Sequence, residues 1–130
     1  MRYPFAIASL TLLLFAASAG AQEVESINGA WSGSGHQTPV GAAGLAPRAI
    51  AMTISGNGGT VGYPDLHCSG MIARVGVGGS SGTFREHITN GVDKCADGGT
   101  ITVHVHNGQL DWAWSGSSGD GVVAVLTRSQ

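Results

Sequence analysis

From Thr100 to His106 the chain alternates without a break. Ile101, Val103 and Val105 point one way; Thr102, His104 and His106 point the other. Period-two alternation is the mark of a half-buried strand. The pattern recurs along the chain. Arg48 to Ser55 sets Ile50, Met52 and Ile54 against Ala49, Ala51 and Thr53. Thr83 to Thr89 sets Phe84, Glu86 and Ile88 against Arg85 and His87, and Gln109 to Ser115 puts Leu110, Trp112 and Trp114 on one face. In Ser69 to Val77 the residues in phase are Met71, Ala73, Val75 and Val77. Asn28 to Gly35 is a first strand anchored by Trp31, Thr60 to Tyr63 is a return strand that Pro64 ends, and Val122 to Arg128 is the last strand.

Between these runs lie turn residues. Gly56-Asn57-Gly58-Gly59 and Asn107-Gly108 read as hairpin turns, because Gly and Asn accept positive φ at low cost. Gly78 to Gly82 and Gly116 to Gly121 turn the chain again, Asn90 to Gly99 is a polar turn, and His36 to Pro47 is a Gly, Ala and Pro-rich loop. Gln22 to Ile27 is polar and is expected to fray. About eight short strands joined by hairpin-sized turns, with no helical period, predict an all-β fold. An antiparallel up-and-down barrel is preferred because a closed meander exposes no edge; a β-sandwich is the alternative. The predicted inner face collects Trp31, Val61 and Tyr63 with the Ile50, Phe84, Ile101 and Leu110 stripes.

The start of the chain carries a different signal. Met1-Arg2 precedes an apolar run from Phe5 to Ala17, and Ala19-Gly20-Ala21 fits a small-residue cleavage site. This predicts a signal peptide over 1–21 and a single secreted domain over 22–130, with no membrane span in the mature chain. Loss of Arg2 with the leader takes the formal net charge from −2 to −3. That balance, with no basic cluster, argues against a nucleic-acid partner. Export makes the only two cysteines, Cys68 and Cys95, an expected disulfide. Such a tie stabilises by roughly 3–4 kcal/mol in the chain-entropy model.

Among groups able to do chemistry, Glu86 stands first, because its phase turns a carboxyl inward. A buried carboxyl finds a partner or has its pKa raised. Its expected role is structural, paired with an inward Arg such as Arg74 or accepting backbone N–H bonds; the functional alternatives are a ligand anchor or a general acid. No second positioned acid accompanies it, since Asp65, Asp93, Asp97 and Asp111 fall in turns or on the outer face; no catalytic residue is assigned. His87, His104 and His106 share an outer surface without a known ligand spacing, so no metal and no cofactor is assigned. Trp112 and Trp114 with Tyr63 suit either a core or a stacking platform for a sugar ring.

Gly29-Ala30-Trp31 in the first strand, with Arg128 ending the last, resembles the ends of calycin barrels such as lipocalins and avidins. That resemblance implies Trp31 at the barrel base under the Arg128 guanidinium. The mature chain also resembles an uncharacterised family of small secreted bacterial domains. The matching pieces are Asn28-Gly29-Ala30-Trp31-Ser32-Gly33, Tyr63-Pro64-Asp65-Leu66-His67-Cys68-Ser69-Gly70, Phe84-Arg85-Glu86-His87-Ile88, Cys95-Ala96-Asp97-Gly98-Gly99 and Leu126-Thr127-Arg128. This second resemblance implies a fold and an export route, and no activity. More loosely, the chain is similar to periplasmic inhibitors of animal-type lysozymes, which present a Ser-Gly-x-x-Tyr loop. Here Ala73 follows Ser69-Gly70 and Arg85 follows Ser81-Gly82 at the Tyr place.

The reading that results is a secreted or periplasmic, non-enzymatic β-barrel. It binds a protein or glycan partner at the cell envelope through His36 to Pro47, Gly78 to Gly82 and Asn90 to Gly99; inhibition of a cell-wall hydrolase is one form of this. The alternative is a small-ligand carrier with a cavity bounded by Tyr63, Glu86, Trp112 and Trp114. A small hydrolase using Glu86 is the third reading.

Overall fold

Strands form where the alternation puts them: β1 (Gly29–Thr38), β2 (Arg48–Ser55), β3 (Gly58–Tyr63), β4 (Cys68–Arg74), β5 (Ser81–Asn90), β6 (Thr100–His106), β7 (Gln109–Ser115) and β8 (Gly121–Arg128). A single 3-10 turn, Pro64–Leu66, joins β3 to β4. This computed structural model describes residues 25–38, 48–76, 79–117 and 119–129. The leader assigned to 1–21 and most of the loop assigned to His36–Pro47 lie outside them. Each strand pairs antiparallel with the next, and β8 returns to β1 from Trp31↔Arg128 to Thr38↔Gly121, closing an eight-stranded barrel. No helix among the described residues is long and apolar enough to cross a membrane.

The turns take the geometry that their residues favour. Asn107 and Gly108 both have positive φ, 50° and 75°, the type I′ pattern whose twist matches the flanking strands. Gly56 has φ 60° while Gly58 already pairs with Ser55, so the β2–β3 connection is a two-residue turn, shorter than the four-residue stretch the sequence offered. β1 runs on to Thr38, beyond the Gly35 end expected for it.

Inside, Trp31, Phe84, Ile101, Leu110 and Leu126 are almost wholly buried, and Ile50, Met52, Ile54 and Val61 pack with them. β4 supplies inward residues that the sequence pattern left unassigned. Met71 and Val75 are each 59% exposed, while Ile72 is 4% exposed. The inward positions of β4 are Cys68, Gly70 and Ile72, and the pairing slips between Ser69 and Gly70. A cysteine and a glycine leave the inward face less apolar than the outward one, so apolar content does not mark it.

One barrel end is plugged. Ile27, expected to fray, is 2% exposed, and its carbonyl accepts the Trp31 indole N–H at 2.8 Å. Arg128 lies over the Trp31 ring at 4.2 Å and donates to the carbonyls of Asn28 (3.0 Å) and Ser26 (2.8 Å). The cation–π contact expected of Trp31 and Arg128 is therefore present. Beyond it, the guanidinium fastens the segment before β1 across the base. Glu25 reinforces this by accepting the Gly108 N–H at 3.2 Å. Arg128→Ala removes the ring contact and both hydrogen bonds, so it is expected to lower stability by about 1–2 kcal/mol in urea unfolding. An unchanged midpoint would mean that the plug is held by apolar packing alone.

Candidate functional site at the open barrel end

Strand phase brings four side chains together at the opposite end, which the described residues leave open. Tyr63 closes β3, Glu86 stands mid-way along β5, and Trp112 and Trp114 are successive inward positions of β7. Glu86 is 2% exposed and is the one buried charged residue described. The Tyr63 hydroxyl donates to its Oε2, and the Trp114 indole N–H donates to Oε1 at 3.0 Å. Tyr63 and Trp112 meet edge to face, with ring centres 6.4 Å apart at 65°. These four residues, predicted together from the sequence, line a hollow of about 260 Å³ with Arg48, Leu66, Lys94 and Asp120 at its wall and rim. The Trp112 indole N–H is buried without an acceptor among the described residues.

The surrounding backbone holds this arrangement. Trp114 lies in a slot between two glycines: a Cβ at Gly99 would overlap its indole, and one at Gly116 would stand 2.7 Å from Cη2. The connection from β5 to β6 is fastened back onto the sheet. Cys95 is bonded to Cys68 with Cα atoms 6.2 Å apart, the Ile88 N–H donates to Asp97 Oδ1 at 2.8 Å, and the Glu86 N–H donates to the Gly99 carbonyl at 2.9 Å. The disulfide thus sits beside the hollow, and Cys95 and Ala96 form part of its lining.

The electrostatics follow from burial. Removal from water pushes the Glu86 carboxyl above its ordinary value, against the two donors, which favour the charged form; the Asp97 carboxylate pushes it up further. Tyr63 is also driven up, first by burial and then by the Glu86 carboxylate. Asp97 is held below the usual range, chiefly by the Ile88 N–H that it accepts, and then by the Gly98 N–H and by His87.

Other sequence expectations fare differently. The expected Glu86–Arg74 pairing is replaced by Tyr63 and Trp114, while Arg74 donates to the carbonyls of Gly76 and Ser81, each at 2.8 Å, and lies over Phe84. An arginine stem at a strand end reaches its own turn more readily than a carboxyl deeper in the barrel. The three outward histidines do not converge. His104 pairs with Ser81, so His87 stands six residues further along β5, roughly 20 Å away at strand spacing. His87 pairs with Asp97 at 3.2 Å, and His106 pairs with Asp111 at 2.8 Å. Among the described residues no group of three His, Cys, Asp or Glu side chains is arranged to hold a metal ion. A larger hollow of about 780 Å³ is an open depression on the outer wall, between Ser34, His104 and Val125.

Sequence reasoning missed Arg48, Leu66 and Asp120 at the site, and reached Lys94 only within the Asn90 to Gly99 turn that it assigned to a docking surface. Parity could have found Arg48, which shares the inward phase of Ile50, Met52 and Ile54. The others belong to turns, where period two gives no direction. No protein-family model, curated protein or solved structure matches the chain.

The carboxyl has a readable pH consequence. A folded-state pKa above the unfolded one makes Glu86 most favourable below the ordinary carboxylate range, and its contribution is lost as pH rises through the raised value. Glu86→Gln keeps the shape and cannot ionise. The Tm of this variant relative to that of the native protein should therefore rise from pH 4 to pH 8. A difference that stays flat, or falls, would show that the two donors outweigh burial.

Proposed function

We propose that the protein is a small-ligand-binding barrel whose site is the hollow at the open end. The observation that carries this reading is a buried carboxyl, held between two neutral donors and walled by three aromatic rings, in a barrel whose other end is plugged. An interior built only for stability gains nothing from a desolvated carboxyl there, since apolar side chains of similar volume do as well or better. The hollow's size sets the ligand's size. A cavity of about 150 Å³ accepts benzene, so about 260 Å³ suits one ring with polar substituents. The reading is of a binding protein, not an enzyme, and of a secreted or periplasmic one. The disulfide suits an oxidising compartment.

A second reading, docking of a protein or glycan partner at the cell envelope, draws on the outer wall. Val123 and Val125 are 45% and 52% exposed on β8, beside the outer depression. Inhibition of a cell-wall hydrolase gains less support: Ser69-Gly70 and Ser81-Gly82 both lie within strands, with Gly70 and Gly82 buried, and neither offers a loop.

The test is tryptophan fluorescence of the purified protein, titrated with a panel of one-ring sugars, aromatic acids and aromatic amines. The proposal expects saturable binding by one class, weakened at least tenfold in Trp112→Phe and in Glu86→Ala. Silence across the panel, with an envelope protein captured through the β8 wall, would favour docking instead.

A further inference from the structure

The hollow contains charges of both signs, and neither is neutralised by a described group of opposite charge. Glu86 is buried, and both of its hydrogen-bond partners are neutral. The one charge that acts on it appreciably is Asp97, of the same sign. Arg48 is half-buried in the same wall and makes no ion pair with a described residue; the His87–Asp97 and His106–Asp111 pairs lie outside the lining of the hollow. Asp65 spends a carboxylate oxygen on the Ala49 N–H at 3.0 Å, and Asp120, at the same rim, already has a partner. Lys94 adds a second positive charge at the mouth.

These charges are also ordered in depth. Glu86 is almost wholly buried, whereas Arg48 opens β2 and stands two residues, about 7 Å, nearer the mouth than Ile50. Apolar surface from Ile50, Trp112, Trp114 and Val122 fills the wall between. Buried charge is stable only when paired, so the pocket calls for a ligand with its own positive group inside and its own negative group outside.

We infer that the pocket takes a small zwitterion, with its ammonium against Glu86, its anionic group at Arg48 and a ring-sized apolar body between them. The inference rests on the small-ligand reading of this pocket and names the class of ligand. An ammonium group also suits the faces of Tyr63, Trp112 and Trp114, since aromatic faces attract cations. A simple organic cation would leave Arg48 uncompensated, a simple anion would meet Glu86, and a neutral sugar would compensate neither.

Four probes built on one para-substituted benzene ring separate these cases: 4-(aminomethyl)benzoate, 4-methylbenzylamine, 4-methylbenzoate and 4-methylbenzyl alcohol. They carry both charges, the positive charge, the negative charge and no charge respectively. Calorimetric titration at neutral pH is expected to rank 4-(aminomethyl)benzoate first, at least tenfold tighter than either singly charged probe, with the alcohol weakest. Glu86→Gln should bring 4-(aminomethyl)benzoate down to the level of 4-methylbenzoate, and Arg48→Gln should bring it down to the level of 4-methylbenzylamine. If Glu86→Gln does not fold, the ranking on the native protein and the Arg48→Gln result decide the matter.

Binding of the alcohol as tight as that of 4-(aminomethyl)benzoate would overturn the zwitterion while leaving a ligand pocket in place. Failure of all four probes to bind at millimolar concentration would also overturn it. The small-ligand reading would fall as well only if the wider panel of sugars, acids and amines were silent.

Discussion

The pairing of β1 with β8 is the constraint on which the rest of the molecule depends. It runs from Trp31↔Arg128 to Thr38↔Gly121 and joins the first strand to the last. Without it the sheet would have two open edges and two comparable faces. With it every strand has an inside, and one parity of each alternating run is committed to a small enclosed space. The residues that begin this seam also plug the base: Trp31, Arg128 and the carbonyls of Ser26, Ile27 and Asn28 share one set of hydrogen bonds. Closure and plugging are thus one structural event.

An eight-stranded barrel has room for its own side chains or for one small ligand. This chain fills one half with side chains and leaves a hollow in the other. Toward the base, Phe84, Leu110, Leu126 and Ile54 fill the space. Toward the open end the strands contribute a carboxyl, a phenol, two indoles and a guanidinium, and a hollow remains. Burying Glu86 costs stability, and the Tyr63 and Trp114 donors offset part of that cost. The backbone around it is also unusually committed: the Cys68–Cys95 bond, the Asp97 cap on the Ile88 N–H and the Gly99 slot for Trp114 all hold that wall of the site. On the proposed reading, a carboxyl so placed serves a ligand and not the stability of the barrel.

The barrel and most of the site were legible in the sequence because both depend on parity. Ile101, Val103 and Val105 announce a strand, and the same rule turns Glu86 inward with Phe84 and Ile88. Parity left the inward face unassigned where that face is small. In β4 Cys68 and Gly70 gave the inner face little apolar content, and Ile72 was hidden behind the more apolar Met71 and Val75. It was silent where there is no strand, at Ile27 before β1 and at Leu66, Lys94 and Asp120 in the turns around the mouth. It could not name partners either. Tyr63 and Trp114 reach Glu86 from β3 and β7, and their meeting depends on how the barrel curves across its interior.

The account turns on one group, so the most direct measurement is the titration of the Glu86 side-chain carboxyl by carbon-detected NMR in the unliganded protein, assigned with Glu86→Gln. A desolvated carboxyl between neutral donors should titrate clearly above the ordinary glutamate value of 4.5. A midpoint at or below that value would mean that the group is well hydrated, met by a cation, or held charged by its two donors. Burial would then not dominate at Glu86, and the case for a positive group brought there by a ligand would fall.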